Sequence, residues 1–290
     1  MIWPLLVIAA AALQVARNAA QRQLTGRLGV WGASYVRFIY GLPFAFLWTA
    51  LIFAWRGASG GASTPFVLWV ALGAATQATA TAALVYAMRG RAFAVANALQ
   101  KTEVLGSAIV GVLLIQDVLT PAHWLGGALG TAGVTLMAHV SLDRGALKAA
   151  LSGIGAGLLF SFSSVAYRAA AQAWGGDPWV GAAATLSATL AMQTLGGGLL
   201  LLIFVRGAMS EVLAAWRPSL LPGATGAIAS AGLFTGFALG PSAAAVKTVQ
   251  LVDVLIAWFV SRRVFADVIR PVELAGILLV VAGALCVLLG

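Results

Sequence analysis

The sequence predicts an all-α integral membrane protein, with ten transmembrane helices arranged as two inverted five-helix repeats around a central cavity. Three observations predict it. Apolar residues make up 61% of the chain and charged residues 9%, whereas a soluble domain is about a quarter charged. The apolar residues fall into segments of about 20, the length that crosses a hydrocarbon core at about 1.5 Å per residue. The chain also matches itself at a constant offset of 150 residues.

The segments are 3–24, 31–55, 65–88, 93–115, 122–140, 147–173, 179–205, 218–239, 242–262 and 271–289. Turn and breaker residues separate them: Gly26 and Gly29, Gly57 to Pro65, Gly90, Pro121, Gly145, Gly175 to Pro178, Pro218, Pro241 and Pro271. The start, Met1-Ile2-Trp3-Pro4, lacks the basic residues of a secretory signal, so the first run reads as a membrane helix. Trp3, Trp31, Trp55, Trp124, Trp174, Trp179 and Trp216 lie near segment ends, where interfacial belts favour them. The runs are continuous and rich in Ala, Leu and Gly, without the alternation of a β-barrel. Glycines four apart (Gly126 and Gly130, Gly153 and Gly157, Gly232, Gly236 and Gly240) predict close helix contacts. The single Cys286 excludes a disulfide framework and reads as packing.

A net charge of +9 raises nucleic acid as a partner, but the basic residues form no patch. They are dealt out singly and in pairs between apolar segments. Arg22, Arg27, Arg89, Arg91, Arg144, Lys148, Arg206, Arg217, Arg262, Arg263 and Arg270 follow odd-numbered segments, and Arg56 alone follows an even-numbered one. The positive-inside rule places the first set in the cytoplasm and both termini outside, periplasmic for a bacterial-type inner membrane.

At the offset of 150, Gly90 pairs with Gly240, Gln100 with Gln250, Val104 with Val254, Asp117 with Asp267, Pro121 with Pro271, Gly126 with Gly276 and Gly133 with Gly283. Glu103 and Asp253 coincide, keeping the charge. The repeats are thus 1–140 and 147–290. Five spans are an odd number, so the second repeat enters the membrane from the opposite side. Transporters commonly use this inverted architecture, with substrate near the midplane.

Polar groups inside the fourth and ninth segments are the sharpest functional signal. Asn97, Gln100 and Glu103 recur every three residues on one helix face, and Lys247, Gln250 and Asp253 hold the matching positions. A charge at the bilayer centre costs at least ~2.5–3.5 kcal/mol, so such groups face a bundle interior or water. They either line a substrate pathway or form internal ion pairs, Glu103 with Lys101 or Arg37 and Asp253 with Lys247. Lys247 and an acid also suit the carboxylate and ammonium of a zwitterion. Gln77, Ser164 and Tyr167 are further pathway candidates, and Phe234 and Phe237 are candidate contacts for an aromatic substrate. Membrane Ser and Thr hydroxyls, however, commonly bond back to their own helix.

No phosphate-binding Gly-x-x-x-x-Gly-Lys-Ser/Thr loop occurs, so no nucleotide partner is expected. Hydrolase motifs such as Gly-x-Ser-x-Gly and His-Glu-x-x-His are also missing, so neither enzymatic activity nor a cofactor or metal is expected.

Two stretches resemble the ten-helix, EamA-type branch of the drug/metabolite transporter superfamily. One is Tyr35-Val36-Arg37-Phe38 followed by Gly41-Leu42-Pro43-Phe44-Ala45. The other occurs twice: an acid (Asp117, Asp267), Pro (Pro121, Pro271), Gly (Gly126, Gly276) and Ala-Gly (Ala132-Gly133, Ala282-Gly283). The chain looks most like the YddG-type exporters of that branch. The resemblance implies a basket of ten helices around a cavity and export of aromatic and other neutral amino acids or similar metabolites. The expectation is therefore a secondary transporter working by alternating access, its partners a small-molecule substrate and the lipid bilayer. A multidrug exporter, a lipid-modifying membrane enzyme and a non-transporting structural partner are the alternatives.

Overall fold

A computed structural model describes residues 2–87, 99–137, 144–265 and 271–290. The first part of the fourth predicted segment, with Asn97, lies outside the described residues, as do Arg89, Arg91, His139, Asp267 and Arg270. All regular elements among the described residues are helical. They are α1 (Trp3–Ile39), α2 (Leu42–Arg56), α3 (Thr64–Ala87), a 3₁₀ turn at Gln100–Thr102, α4 (Glu103–Ile115), α5 (Pro121–Met137), α6 (Arg144–Trp174) and α7 (Pro178–Phe204). After these come α8 (Ala208–Ala214), α9 (Trp216–Leu239), α10 (Ala243–Gln250), α11 (Val252–Phe265) and α12 (Pro271–Leu289).

Among the described residues, six stretches are long and apolar enough to cross a membrane: Trp31–Arg56, Thr64–Leu84, Leu151–Trp174, α7, α9 and α12. Trp3–Asn18 and Gln23–Gly29, joined by a 50° bend, make a seventh if counted as one span. The first two predicted segments are joined within α1 rather than separated by a loop. The break between them is Gly29, at φ 62° and ψ 178°, a conformation that a side chain would resist. The short α8 was not foreseen. The outward faces are strongly apolar: Leu113, Leu195, Leu199 and Phe204 are all more than half exposed. Water penalises such stripes and a lipid surface favours them, so the fold is compatible with a membrane protein.

The chain divides into two compact units, residues 76–165 with 240–290, and residues 2–75 with 166–239. Each unit draws on both sequence repeats. In the first unit, α5 packs on α12 through glycines. A Cβ on Gly126 would come within 2.6 Å of the Gly283 carbonyl, and one on Gly133 within 2.6 Å of the Gly276 carbonyl. As numbers rise along α5 they fall along α12, so the two helices run antiparallel. The offset of 150 exchanges these two contacts, which makes them reciprocal, as at an interface with two-fold symmetry. Asp117 Oδ2, after α4, accepts the Ala243 N–H at the start of α10 (3.2 Å), where the helix dipole favours a negative charge.

In the second unit, the span Trp31–Arg56 runs antiparallel to α7. Tyr35 donates to the Thr194 carbonyl (2.9 Å) and Thr49 to the Ala183 carbonyl (2.9 Å), and Arg56 pairs with Asp177 (2.6 Å). These two helices are again repeat equivalents. A polar knot closes their end: Trp174 Nε1 donates to the Ser59 carbonyl (2.8 Å), and Ser59 Oγ accepts the Asp177 N–H (3.0 Å). Trp174 therefore serves packing, its ring lying 4.9 Å from that of Phe66. Trp3, likewise placed at an interface by the sequence pattern, is buried. The pattern marks helix ends but cannot tell which face a ring takes. Trp31, Trp55, Trp124 and Trp216 are exposed.

Asp177 caps α7 through the Trp179 N–H (2.8 Å). Its partial burial opposes ionisation, but hydrogen bonds from Arg56, Trp179 and Val180 and the Arg56 charge outweigh it, holding the carboxyl below its ordinary 3.8. A depressed native value stabilises the fold above the unfolded value, and the gain is lost as pH falls through the native one. Asn retains the cap, so Asp177→Asn isolates the charge. We expect a loss of up to about 1 kcal/mol at neutral pH, the scale of a partly exposed ion pair. Unfolding of the detergent-purified protein followed against pH should show the gap closing below 3.8. Gly133→Ala and Gly276→Ala should each cost about 1–3 kcal/mol by overpacking. Gly155→Ala, whose Cβ would meet no neighbour within 4 Å, should cost little by comparison in the same assay.

Candidate functional site

The polar residues of the fourth and ninth segments collect in the first unit, at two interruptions of helical hydrogen bonding. Gln100–Thr102 forms the 3₁₀ turn that leads into α4. Leu251 separates α10 from α11, its N–H bonding the Thr248 carbonyl three residues back (3.1 Å). The two tightened turns stand at nearly repeat-equivalent positions, each containing a glutamine, Gln100 or Gln250. Such short 3₁₀ pieces inside a helical span often mark a hinge or a functional site. Close packing supports the first turn: a Cβ on Gly157 of α6 would lie 2.8 Å from the Gln100 carbonyl. Ser161 Oγ, one turn further along α6, donates to the Glu103 carbonyl (3.0 Å).

Gln100, Lys101, Glu103, Lys247 and Gln250 are buried, and Asp253 is half-buried. The four charges pair crosswise. Lys101 Nζ lies 2.8 Å from Asp253 Oδ2, and Lys247 Nζ lies 3.5 Å from Glu103 Oε2. Each pair joins one sequence repeat to the other. The expected pairs, Glu103 with Lys101 and Asp253 with Lys247, are thus corrected. Residues two apart on a helix do not face each other, and the break at Leu251 falls between Lys247 and Asp253. Lys101 is close enough to Glu103 to feel its charge as well. The four groups therefore form two crossed pairs with no net charge. Glu103 Oε2, Asp253 Oδ1 and Ser107 Oγ have no hydrogen-bond partner among the described residues.

The other candidates separate. Gln77 lies in α3, half-buried, its carbonyl accepting Thr81 Oγ1 (2.8 Å). Ser164 Oγ donates to the Phe160 carbonyl of its own helix (2.8 Å), the local bonding expected of a membrane serine. Tyr167 belongs to the second unit. Its hydroxyl donates to the Gly73 carbonyl (2.9 Å), and its ring stacks on Phe234 (4.5 Å between centroids). Gly73 is required there, because a Cβ would overlap the tyrosine ring. Phe234 in turn meets Phe237 edge-on, and Arg168 Nη1 donates to the Phe237 carbonyl (2.7 Å). Gln193 of α7 joins this cluster through a hydrogen bond with Tyr167 and another to the Ala74 carbonyl (3.4 Å). Arg37 interacts with Tyr167.

Lys101 and Gln193 were not singled out as site residues by sequence reasoning. Lys101 carried a readable signal, a charge inside an apolar segment. Gln193 carried none beyond its polarity, since its role depends on which helices meet around Tyr167.

No family model matches this chain, and no curated protein matches it. Twenty-eight solved chains match it in structure. One, a crystal structure described only as that of a protein, is 18% identical, covers 98% of both chains and superposes with a TM-score of 0.67. At that identity the likeness shows the fold alone.

Removing one partner of a buried ion pair strands the other, at a cost of roughly 3–5 kcal/mol, whereas removing both is far milder. Lys101→Met and Asp253→Leu should therefore each destabilise strongly, and the double variant should recover most of the loss. A double-mutant cycle on chemical denaturation of the purified protein measures the coupling.

Proposed function

We propose that this protein is a secondary membrane transporter of the drug/metabolite transporter superfamily, in its ten-helix EamA-type branch. It exports aromatic and other neutral amino acids, or similar small metabolites, by alternating access across a bacterial-type inner membrane, with both termini periplasmic. The observation that carries this reading is the neutral set of four charges, paired crosswise at turns of apolar helices about 150 residues apart in the sequence. A purely structural core in lipid gains nothing from four ionised side chains, because apolar residues of similar volume stabilise a buried site as well or better. Charges kept there against that cost usually serve a pathway. The reciprocal glycine contacts of α5 with α12, and the antiparallel run of Trp31–Arg56 against α7, support two inverted five-helix repeats. In that architecture substrate binds near the midplane, and the repeats rock to expose it alternately.

Paired lysines argue against an exporter of organic cations, which would want acids without them. Gln100 and Gln250 offer donors and acceptors beside the charges without adding a charge of their own.

Counterflow of labelled amino acids in proteoliposomes tests the reading. We expect uptake above that of empty vesicles for at least one neutral amino acid, and a loss of tenfold or more in the double variant Gln100→Leu, Gln250→Leu. Flux equal to empty vesicles across a broad panel would reject amino-acid export. Unchanged flux in the double variant would remove the glutamines from the pathway.

A further inference from the structure

The two ion pairs differ in a way that bears on what binds. Lys101 and Asp253 make a short, charge-assisted hydrogen bond at 2.8 Å. Lys247 and Glu103 stand at 3.5 Å, and Glu103 Oε2 accepts no hydrogen bond among the described residues although Glu103 is 4% exposed. A buried carboxylate oxygen in that state keeps a strong unmet demand for a donor. Glu103 does not depend on Lys247 alone for its balancing charge, because Lys101 also interacts with it. Lys247 can therefore turn to another anion provided that the incoming ligand brings its own cation to Glu103, since Lys101 balances only one of the two acids.

Resting on the transport reading above, the geometry points to the Lys247–Glu103 pair as the headgroup site for an α-amino acid, which inserts between the two side chains. The ligand carboxylate replaces Glu103 on Lys247, and the adjacent ligand ammonium donates to Glu103 Oε2. The order becomes Lys247 (+), carboxylate (−), ammonium (+), Glu103 (−), alternating throughout. An α-amino acid carries its two charges on neighbouring groups, so once the Lys247 and Glu103 side chains part from 3.5 Å to admit it, it meets each with the opposite charge and leaves no like-charge contact. It also adds no net charge to a neutral quartet. A lone carboxylate or a lone amine would leave one buried charge unbalanced, at a cost that a low-dielectric site magnifies. Discrimination thus falls on the zwitterion.

The test is equilibrium binding to the intact detergent-purified protein, using matched triplets. L-phenylalanine, 3-phenylpropanoate and phenethylamine form one triplet. L-leucine with 4-methylpentanoate and isopentylamine forms the second. The expected result is that at least one amino acid binds and that both of its single-charge analogues bind at least tenfold more weakly. The neutral double variant Lys247→Gln, Glu103→Gln, which keeps the quartet balanced, should lose the preference. Analogue binding within twofold of the amino acid overturns the inference, as does failure of every amino acid to bind. Should the double variant not fold, the wild-type ranking decides by itself. Counterflow separates the two readings: flux with no zwitterion preference sinks the headgroup site and leaves the transporter standing. Zwitterion-selective binding without flux does the reverse.

Discussion

Charge inside an apolar helical assembly persists only as a balanced set, and much of this structure follows from that constraint. The chain places two lysines and two acids at or beside turns of helices whose remaining residues are mostly apolar. Neither helix segment could hold its own charges alone. The 3₁₀ turn before α4 and the turn between α10 and α11 orient the groups so that each lysine meets an acid from the other repeat. The crossing is what makes them neutral locally as well as in sum. It also ties together segments about 150 residues apart in the chain.

Close backbone approach is the second condition. Long side chains between α5 and α12 would hold the helices too far apart for such contacts. Glycines related by the 150-residue offset in the sequence bring the backbones together instead, Gly126 against Gly283 and Gly133 against Gly276. Where hydrocarbon is the solvent, apolar side chains gain little by meeting each other rather than lipid, so tight packing and internal hydrogen bonds must hold helices together. The hydroxyls behave accordingly. Thr185, Ser219, Thr235 and Thr248 each bond the carbonyl four residues back, and Tyr35, Tyr40 and Tyr167 reach carbonyls of other segments. Ser107 does neither, and it lies one turn from Glu103 on the same face of α4.

The same pattern separates the two aromatic and polar clusters by role. Tyr167, Arg168 and Gln193 bond directly to backbone carbonyls, and Phe234 stacks on the Tyr167 ring, as a rigid core requires. The quartet is bonded side chain to side chain, with oxygen atoms left unmet. Unmet demand belongs where a partner is exchanged, and full satisfaction belongs where a shape is fixed.

By itself the sequence determined the helical class, most segment limits and the list of polar residues inside apolar segments, because length, hydropathy and a 150-residue offset are linear properties. Trp31–Arg56, Thr64–Ala87, Pro178–Phe204 and Pro271–Leu289 fall within a residue or two of their expected ranges. Gln100, Glu103, Lys247 and Gln250 were legible as buried polar groups for the same reason. Tertiary structure alone decided who pairs with whom. Lys101 chooses Asp253 and Lys247 chooses Glu103 because the turns at Gln100 and Leu251 reset the helical phase, and local spacing carries no record of that. It likewise decided that Ser164 bonds its own helix and that Tyr167 meets Gly73. A side chain's partner is set by which helices pack against it, and contacts between distant segments leave no periodicity to read.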